Sequence, residues 1–352
     1  MRTPAFWWPS PPTFAARLLQ PAGAVYGTIT SGRMRLAGAA PGCPVICVGN
    51  FTAGGAGKTP TAIALAAHLG GEGRTVAFLT RGYGGRLRGP VLLANDDQTQ
   101  VEYTHVDVGD EPLLLARRAP VMVARDRRAG LAALLAQETA ERGARPDVVI
   151  MDDGLQNPAI AKTLALAVVD GRTGVGNGLC VPAGPLRAPL ASQLPHVDAL
   201  IVVGEGEAGR GVAEAAAALG KPAFGARLAA DPDAARLVRG RRVLAFAGIG
   251  RPEKFFDMLE ELGAEVVQRA AFPDHAPFTP SRIAALEDDA LRKDLLPVTT
   301  EKDAVRLLTL TAAPRLRKAM AVLPVRMAFD DEDGLRAFLA AALPPPPRIA
   351  AA

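Results

Sequence analysis

Short apolar runs alternate with helix-like patterns along most of the chain. The runs are typical of strands buried on both faces, and the patterns between them are typical of helices that cover a sheet. The predicted strands are Pro44–Val48, Thr75–Leu79, Val121–Ala124, Asp147–Met151, Leu164–Asp170 and Ala199–Val203. The predicted helices are Lys58–Leu69, Glu111–Arg118, Asp126–Glu141 and Glu207–Leu219. This order predicts an α/β fold with a doubly wound parallel sheet.

A second block with the same alternation begins near Arg241. Its predicted strands are Val243–Gly248, Glu265–Val267, Pro297–Thr300 and Val322–Ala328, and its predicted helices are Pro252–Leu262, Pro280–Glu287, Glu301–Leu308 and Glu332–Ala341. We therefore expect a main domain over residues 36–230 and a second, smaller α/β domain over residues 231–343. Residues 344–352 contain a proline run and are expected to form a disordered tail.

Residues 1–35 are expected to form a separate N-terminal segment. Both tryptophans of the chain, Trp7 and Trp8, lie in it. The apolar residues that follow at helical spacing are Phe14, Leu18, Ala22, Val25, Tyr26 and Ile29. Pro21 is expected to kink such a helix. Two interpretations stay open: a helix packed on the core, and an interfacial helix that associates with a membrane.

Composition limits the partners and the compartment. The chain has 352 residues, a net charge of +4 and a pI of about 9.1, which does not indicate nucleic acid. No Asp or Glu precedes Glu72, so the basic front end suits an anionic membrane surface. Three cysteines argue against a disulfide scaffold and favour a reducing compartment. Neither a run of 18 apolar residues nor a signal-peptide pattern occurs, so we expect a cytoplasmic location.

The stretch 49–62, GNFTAGGAGKTPTA, has the form of a phosphate-binding loop between a strand and a helix. Small residues let backbone N–H groups surround phosphate oxygens, and the helix adds the positive end of its dipole. The predicted nucleotide-binding residues are Thr52, Ala53, Gly54, Gly55, Ala56, Gly57, Lys58 and Thr59. Lys58 would contact the β- and γ-phosphates of ATP, and Thr59 would bind Mg²⁺.

One position of this loop departs from the motif. Thr52 stands where a P-loop usually has glycine. A side chain is tolerated there if φ is negative, so the departure weakens the motif without removing it. The alternative is a plain glycine turn before a helix. Together with the preceding strand, the loop predicts a P-loop NTPase-type sheet.

Carboxylates follow the predicted strand Asp147–Met151. Asp152 and Asp153 would lie at the carboxyl end of that strand, where a carboxylate can bind the Mg²⁺ that bridges the phosphates. The alternative is a turn that begins with Asp.

In VGDEP, Asp110 starts a helix and is a candidate to orient or deprotonate an acceptor hydroxyl, unless it is only a helix cap.

Other polar groups are weaker candidates. His275 lies in a loop before a helix, where histidines are usually inert. Thr300 and Asp303 have the form of a capping box, and Lys302 beside them could alternatively meet a phosphate. Arg81 and Tyr83 in TRGYGG follow a strand, and Arg187 lies in a glycine–proline loop. Either arginine is solvated or grips phosphate in a fork.

In this order, the motifs resemble those of the tetraacyldisaccharide 4′-kinase family of lipid A biosynthesis. The matching stretches are LLQPAGAVYG, VGNFTAGGAGKTP, TRGYGG, GDEP, DDGLQN, GNGLCVPAGPLR, AFAGIGRPEKFF, FPDHAPF and TTEKDAVRL, which together span nearly the whole chain. The family also tolerates Thr at the first position of the loop. The resemblance implies a lipid kinase that is peripheral or monotopic on the cytoplasmic face of the inner membrane of Gram-negative bacteria. Such a kinase transfers the γ-phosphate of ATP to the 4′-hydroxyl of tetraacyldisaccharide 1-phosphate and forms lipid IVA.

The resemblance also implies roles for single residues. Asp110 becomes the base, supported by His275, and Arg187 becomes an active-site arginine. Asp152 and Asp153 take the roles of metal ligand and active-site carboxylate. Two departures stand out, because the family commonly has an acidic residue at the place of Ala188 and a histidine at the place of Asn157. Any role that those residues have elsewhere is absent or relocated here.

A membrane-cycling P-loop switch ATPase is the alternative from another functional class. Its loop also carries two glycines before Gly-Lys-Thr. However, Ala53 occupies the place of the lysine that marks those ATPases. A requirement of turnover for the lipid disaccharide, rather than for a membrane alone, would separate the two.

Overall fold

A computed structural model describes residues 4–94, 103–142, 145–273, 278–307 and 314–345. Within those ranges the strands are β1 (Val45–Gly49), β2 (Val76–Thr80), β3 (Val91–Leu93), β4 (Val121–Val123), β5 (Val148–Asp152), β6 (Leu164–Asp170), β7 (Ala199–Val203), β8 (Ala223–Ala230), β9 (Arg242–Ala247), β10 (Glu265–Ala271), β11 (Leu296–Thr300), β12 (Ala321–Leu323) and β13 (Val325–Phe329). They form one sheet of nine strands and one of four.

The described helices are α1 (Phe14–Met34), α2 (Lys58–Gly71), α3 (His105–Val108), α4 (Asp110–Ala116), α5 (Arg127–Arg142), α6 (Leu190–Gln193), α7 (Glu207–Ala217), α8 (Pro232–Val238), α9 (Pro252–Glu261), α10 (Pro280–Lys293), α11 (Glu301–Leu307), α12 (Pro314–Ala319) and α13 (Glu332–Ala342). Short 3₁₀ turns occur at Ala5–Trp7 and Leu194–His196.

The large sheet has the order β13-β8-β7-β6-β1-β5-β2-β4-β3. Neighbouring strands from β8 to β4 run parallel, whereas β13 and β3 are antiparallel at the two edges. The central strands are buried on both faces. Ile46 and Val48 pack in a core with α2, α4 and α13, and Val45 and Cys47 pack in a second core with α5 and α7. Helices on both faces explain why these strands are continuous apolar runs.

The small sheet has the order β10-β9-β11-β12, and all its strands are parallel. Helices again cover both faces: α8 and α9 pack on one side, and α10 and α12 pack on the other. The loops after β9 and β11 therefore point toward the same edge.

One correction follows for the second block. The prediction of one strand over Val322–Ala328 is wrong, because β12 and β13 lie in different sheets. Pro324 separates them and has no N–H for a ladder hydrogen bond, and its carbonyl instead accepts from the amide of Asp231 (2.9 Å). The domain limits at residues 230 and 231 stay a prediction. β13 and α13, which follow the small sheet in the chain, pack with the large sheet.

One face of the N-terminal helix packs on the protein, and the other face is exposed, so the membrane-associating interpretation stays a prediction. Small residues of α1 face the protein, and an added Cβ at Gly23 would come within 2.6 Å of the Cys180 carbonyl. The opposite face exposes large apolar side chains: Phe14 (82%), Leu18 (72%), Val25 (62%) and Ile29 (59%). Trp7 is buried, and its indole Nε1 donates to the carbonyl of Pro182 (2.9 Å). The helix continues through Pro21. Among the described helices, none has the length and apolar character needed to span a membrane.

Candidate active site

The predicted phosphate loop and the predicted carboxylates meet at the carboxyl edge of the large sheet. β1 and β5 are neighbours, and Val48 is in register with Asp152. The loop after β1 leads into α2, and the turn after β5 carries Asp153. The adjacency of these strand ends is what the order of a doubly wound sheet predicts.

The loop between β1 and α2 is held by its own side chains. Asn50 Nδ2 donates to the carbonyl of Gly54 (3.0 Å), and Lys58 Nζ donates to the same carbonyl (3.4 Å). Gly57 precedes the helix with φ of 95°, a left-handed conformation that favours glycine. Lys58 is therefore folded back over the loop, in the place where a phosphate-binding lysine is expected.

Thr52 is accommodated because its backbone is extended. It forms an isolated antiparallel bridge with Leu186, and its carbonyl accepts from Arg187 Nε (3.2 Å). The amide of Ala53 donates to the carbonyl of Pro185 (2.7 Å). In this structure that amide is thus used by the protein, so the predicted contribution of Ala53 to nucleotide binding stays a prediction.

Asp152 has the environment of a cation ligand. It is buried at the end of β5, and its Oδ2 accepts from Thr59 Oγ1 (3.3 Å). Its Oδ1 is buried and has no hydrogen-bond partner among the described residues. Burial raises the pKa of Asp152 to about 7, with a contribution from the charge of Glu111 and an opposing one from Lys58. A carboxylate oxygen that is buried without a partner is destabilising unless a cation binds it.

Asp153 is held by cations of the protein itself. Its φ is 53°, an uncommon conformation for a residue with a side chain. Arg187 donates to both carboxylate oxygens (2.8 and 3.0 Å), and Lys58 Nζ lies 3.9 Å from Oδ1. Burial would raise the pKa of Asp153, but Lys58 and Arg187 outweigh it and lower the pKa to about 2. Asp153 therefore stays ionised and orients two cations.

A glutamine pair supports this arrangement and was not predicted from the sequence. Gln156 accepts from Arg187 Nη1 (3.1 Å) and donates to the fully buried Gln193 (2.8 Å). Gln193 in turn donates to the carbonyls of Phe51 and Ala188 (3.2 and 2.7 Å). Gln156 belongs to the DDGLQN motif, but Gln193 lies in a short helix where no sequence pattern marks it.

Ala188 and Asn157, the two departures from the family pattern, both lie in ordinary structural positions. Ala188 is fully buried, and its methyl group offers no charge to the site. Asn157 Oδ1 accepts from the amide of Ala159 (2.8 Å), which closes a local turn.

Asp110 is buried as the first residue of α4, with Gly109 before it as the cap residue. Its Oδ1 accepts from the amide of Glu111 (3.0 Å). The glycine-rich loop after β2 packs closely on this segment, because a Cβ at Gly109 would come within 2.4 Å of the Tyr83 carbonyl. Tyr83 itself is exposed beside it (69%), and Arg81 is also exposed.

The remaining candidates come from the second block. His275 lies outside the described residues, so its place beside Asp110 stays a prediction. One half of the predicted capping box at the start of α11 is present, since the Asp303 amide donates to Thr300 Oγ1 (3.2 Å). The Asp303 carboxylate accepts from the hydroxyl of Thr300 (2.8 Å). Lys302 lies 3.7 Å from carboxylate oxygens of Asp110 and Glu111.

Comparison with known proteins identifies the family. The model of the tetraacyldisaccharide-1-P 4′-kinase family, LpxK, matches residues 15–344. The chain belongs to this family. The tetraacyldisaccharide 4′-kinase of Methylorubrum populi is 56% identical over 98% of this chain and 99% of its own length. That of Methylobacterium radiotolerans is 54% identical over 98% of this chain and 100% of its own length.

The fold of the tetraacyldisaccharide 4′-kinase family is also found in a solved structure. A crystal structure of LpxK from Aquifex aeolicus in complex with ATP has a TM-score of 0.69 at 23% identity, over 94% of this chain and 99% of that one. The predicted P-loop α/β fold and the predicted family are confirmed. Family membership favours the kinase over the switch ATPase.

Proposed function

We propose that this member of the tetraacyldisaccharide 4′-kinase family transfers the γ-phosphate of ATP to the 4′-hydroxyl of tetraacyldisaccharide 1-phosphate, which forms lipid IVA in lipid A biosynthesis. The observation that carries the proposal is that Lys58, Thr59 and Asp152 meet beside the glycine loop. Such a set can hold a nucleoside triphosphate with its divalent cation.

In this proposal the loop residues 52–59 hold the phosphates of ATP. Thr59 and Asp152 fit Mg²⁺, since a hydroxyl already contacts the carboxylate and the buried Oδ1 lacks a partner among the described residues. Bound there, Mg²⁺ would neutralise charge on the phosphate oxygens. Lys58 places a positive charge over the loop, and Asp153 with Arg187 fixes its position.

Asp110 is assigned to the acceptor side of the reaction, as the base for the 4′-hydroxyl of the lipid substrate. Phosphoryl transfer depends mainly on positioning and charge, so a carboxylate that orients the acceptor hydroxyl and accepts its proton is sufficient. Burial at the start of α4 restricts the Asp110 side chain to one region of the site. His275 is proposed to support it, and Tyr83 and Arg81 on the neighbouring exposed loop are proposed to contact the lipid substrate.

A peripheral position on an anionic membrane surface, on the cytoplasmic face of the inner membrane, is the further part of the proposal. It is supported by the exposed apolar side chains of α1, which together form a surface of the kind that membranes or partners cover. Arg17, Arg33 and Arg35 are exposed on or next to the same helix and suit anionic head groups. An acyl chain of the substrate would then lie at the same interface as the site.

The test is transfer of labelled γ-phosphate from ATP to purified tetraacyldisaccharide 1-phosphate in detergent micelles. The expected result is a labelled lipid product that requires both the disaccharide and Mg²⁺. ATP hydrolysis that depends on vesicles but not on the disaccharide would contradict the proposal and favour a switch ATPase.

A further inference from the structure

The start of α11 is fixed by a fully buried carboxylate. Asp303 accepts from the amide of Gly248, at the end of β9 (2.8 Å), and from Thr300 Oγ1 (2.8 Å). Arg306 Nη1 donates to its other oxygen (2.8 Å) and to the carbonyl of Gly248 (3.1 Å). These bonds attach the first turn of α11 to the carboxyl edge of the small sheet, so the side chain next to Asp303 has a defined direction.

That side chain is Lys302, and it reaches the large sheet's site. Its Nζ lies 3.7 Å from Asp110 Oδ2 and 3.7 Å from Glu111 Oε1, and its side chain is only 19% exposed. α11 also packs directly against α4, which carries both carboxylates. Lys302 thus connects the small sheet to the residue that is assigned as the base.

The cations of the site are divided between its carboxylates. Lys58 and Arg187 are placed on Asp153, whereas Lys302 is placed on Asp110 and Glu111. Glu111, next to Asp110 in the first turn of α4, is close enough to Asp152 for its charge to act on that carboxyl, and like charges at short range destabilise one another. A cation beside Asp110 and Glu111 offsets this repulsion in a site that must also accept the phosphates of ATP.

We propose that Lys302 is a positioning residue for the acceptor side of the reaction: it holds the Asp110 carboxylate in place, and it does not bind the nucleotide. This inference rests on the proposed function, because it assumes that Asp110 acts on the acceptor hydroxyl. It also gives the second block a role in the site, because α11, whose first turn is bonded to the end of β9, places Lys302 against α4.

The experiment measures kcat and KM for ATP and for the lipid with Lys302→Met, Lys302→Arg and the control Lys318→Met. Lys318 is an exposed lysine of α12 in the same block. Misplacement of a reacting group by about 1 Å can cost about 100-fold in rate, so Lys302→Met is expected to lower kcat by about 10- to 100-fold. KM for ATP should stay within about twofold of wild type, because equal ground-state binding is retained. Lys302→Arg should recover a large part of kcat, and Lys318→Met should match wild type.

A second measurement separates positioning from general destabilisation. Lys302→Met is combined with Asp110→Asn, and turnover is followed in long labelled-phosphate assays. If Lys302 acts through Asp110, its loss should scarcely lower the residual rate of Asp110→Asn, because residues of one unit are not additive. A multiplied defect in the double variant, or a lost rate that Lys302→Arg does not restore, would overturn the inference.

Three further outcomes are decisive. A KM for ATP raised about tenfold or more with kcat retained would make Lys302 a nucleotide contact and overturn the positioning role. A wild-type enzyme that fails to phosphorylate the lipid disaccharide would remove the proposed function itself. An active wild type with an equally active Lys302→Met variant would remove only this inference.

Discussion

At the scale of single residues, Lys58 is the clearest target in the phosphate loop. Its Nζ lies between the Gly54 carbonyl and Asp153, where it would meet phosphate oxygens. Lys58→Ala is expected to lower kcat by about 100-fold or more, because a charge contact to the transferring group is lost. The matched control is Lys221→Ala, just before β8 at the opposite edge of the sheet. Near-normal turnover of a folded Lys58→Ala variant would contradict the assignment of the loop.

Asp152 allows a prediction about pH and stability. Its pKa is about 7 in the folded protein, mainly through burial, and an Asp in an unfolded chain has a pKa of about 3.9. Between these values the folded state binds more protons than the unfolded state, so stability falls as the pH rises. Without nucleotide and Mg²⁺, Asp152→Asn should therefore raise Tm by a few degrees at pH 8, and by less at pH 5.

The check is thermal unfolding at both pH values in the presence of a chelator, with the exposed Asp288→Asn as the control. A gain in Tm that is equal at pH 5 and pH 8, or a loss of Tm, would argue against a buried carboxylate that lacks its cation. The same variant should lose the additional stabilisation that Mg²⁺ gives to the ATP complex.

The sequence located most of the candidate site but not its supports. Lys58, Thr59 and Asp152 could be placed together because their strand ends share one edge of a parallel sheet. Gln193 could not be found, since a buried glutamine in a four-residue helix leaves no periodic signal. For Lys302 the sequence suggested a phosphate as the possible partner, whereas the packing of α11 on α4 brings it to carboxylates.

At the scale of elements, the exposed apolar face of α1 allows a prediction about membrane binding. The triple variant Leu18→Ser, Val25→Ser and Ile29→Ser changes only exposed side chains, so the fold should be kept. Its binding to vesicles that contain anionic lipid should fall severalfold, because burial of apolar side chains at the interface is lost. Cosedimentation measures this, with Leu219→Ser, Leu237→Ser and Leu291→Ser, which are exposed elsewhere, as the matched triple control. Equal binding by both triples would exclude α1 as the membrane surface.

Deletion of residues 1–30 is a poorer test of the same idea. Phe6 and Trp7 accept from Asn177 through their carbonyls (3.1 and 2.8 Å), and the Trp7 indole donates to Pro182. These contacts stabilise the loop that carries Arg187. Truncation is therefore expected to disturb the site as well as the membrane surface.

The alternation of apolar runs predicted elements better than it predicted their partners. β6 and β7 have the predicted limits, because apolar runs bounded by turns mark strands buried on both faces. β8 (AFGARLAA) is missing from the prediction, since Ala, Gly and Arg do not give a strand pattern. The assignment of β13 to the large sheet depends on a return of the chain, and a pattern of burial does not contain that information.

At the scale of the whole molecule, a charged cluster joins the two sheets. Asp170 lies buried at the end of β6, next to the strand that leads into the phosphate loop. Arg251 and Lys254, at the start of α9 beside the small sheet, donate to its Oδ2 (2.6 and 3.0 Å). Its Oδ1 accepts from the amide and hydroxyl of Thr173 (both 3.0 Å). The carboxylate is thus saturated and holds one sheet against the other.

Loss of this carboxylate should destabilise the protein in a pH-dependent way. Burial would raise the pKa of Asp170, but Arg251 and Lys254 outweigh it, and the net pKa is lowered. A carboxyl with a lowered folded pKa stabilises the fold above its unfolded pKa of about 3.9, and this stabilisation disappears as the pH falls through the folded pKa. Asp170→Asn should therefore lower the free energy of unfolding by about 2 kcal/mol at pH 7. This loss is smaller than that expected for a fully buried ion pair, because Arg251 and Lys254 are partly exposed.

Urea unfolding at pH 7, 5 and 3.5 tests this prediction. The deficit of Asp170→Asn should be the same at pH 7 and 5 and smaller at pH 3.5, because below a pKa of about 3.9 the carboxyl of the unfolded chain takes up a proton while the folded carboxylate, with its lowered pKa, stays charged for longer. Asp233→Asn is the control, because Asp233 forms an ion pair with Arg236 in which both side chains are largely exposed, and such pairs contribute about 0–1 kcal/mol. A deficit for Asp170→Asn no larger than that of Asp233→Asn would show that the cluster does not hold the sheets together. Their relative position would then depend on the return of β13 and α13 to the large sheet and on the contact of α11 with α4.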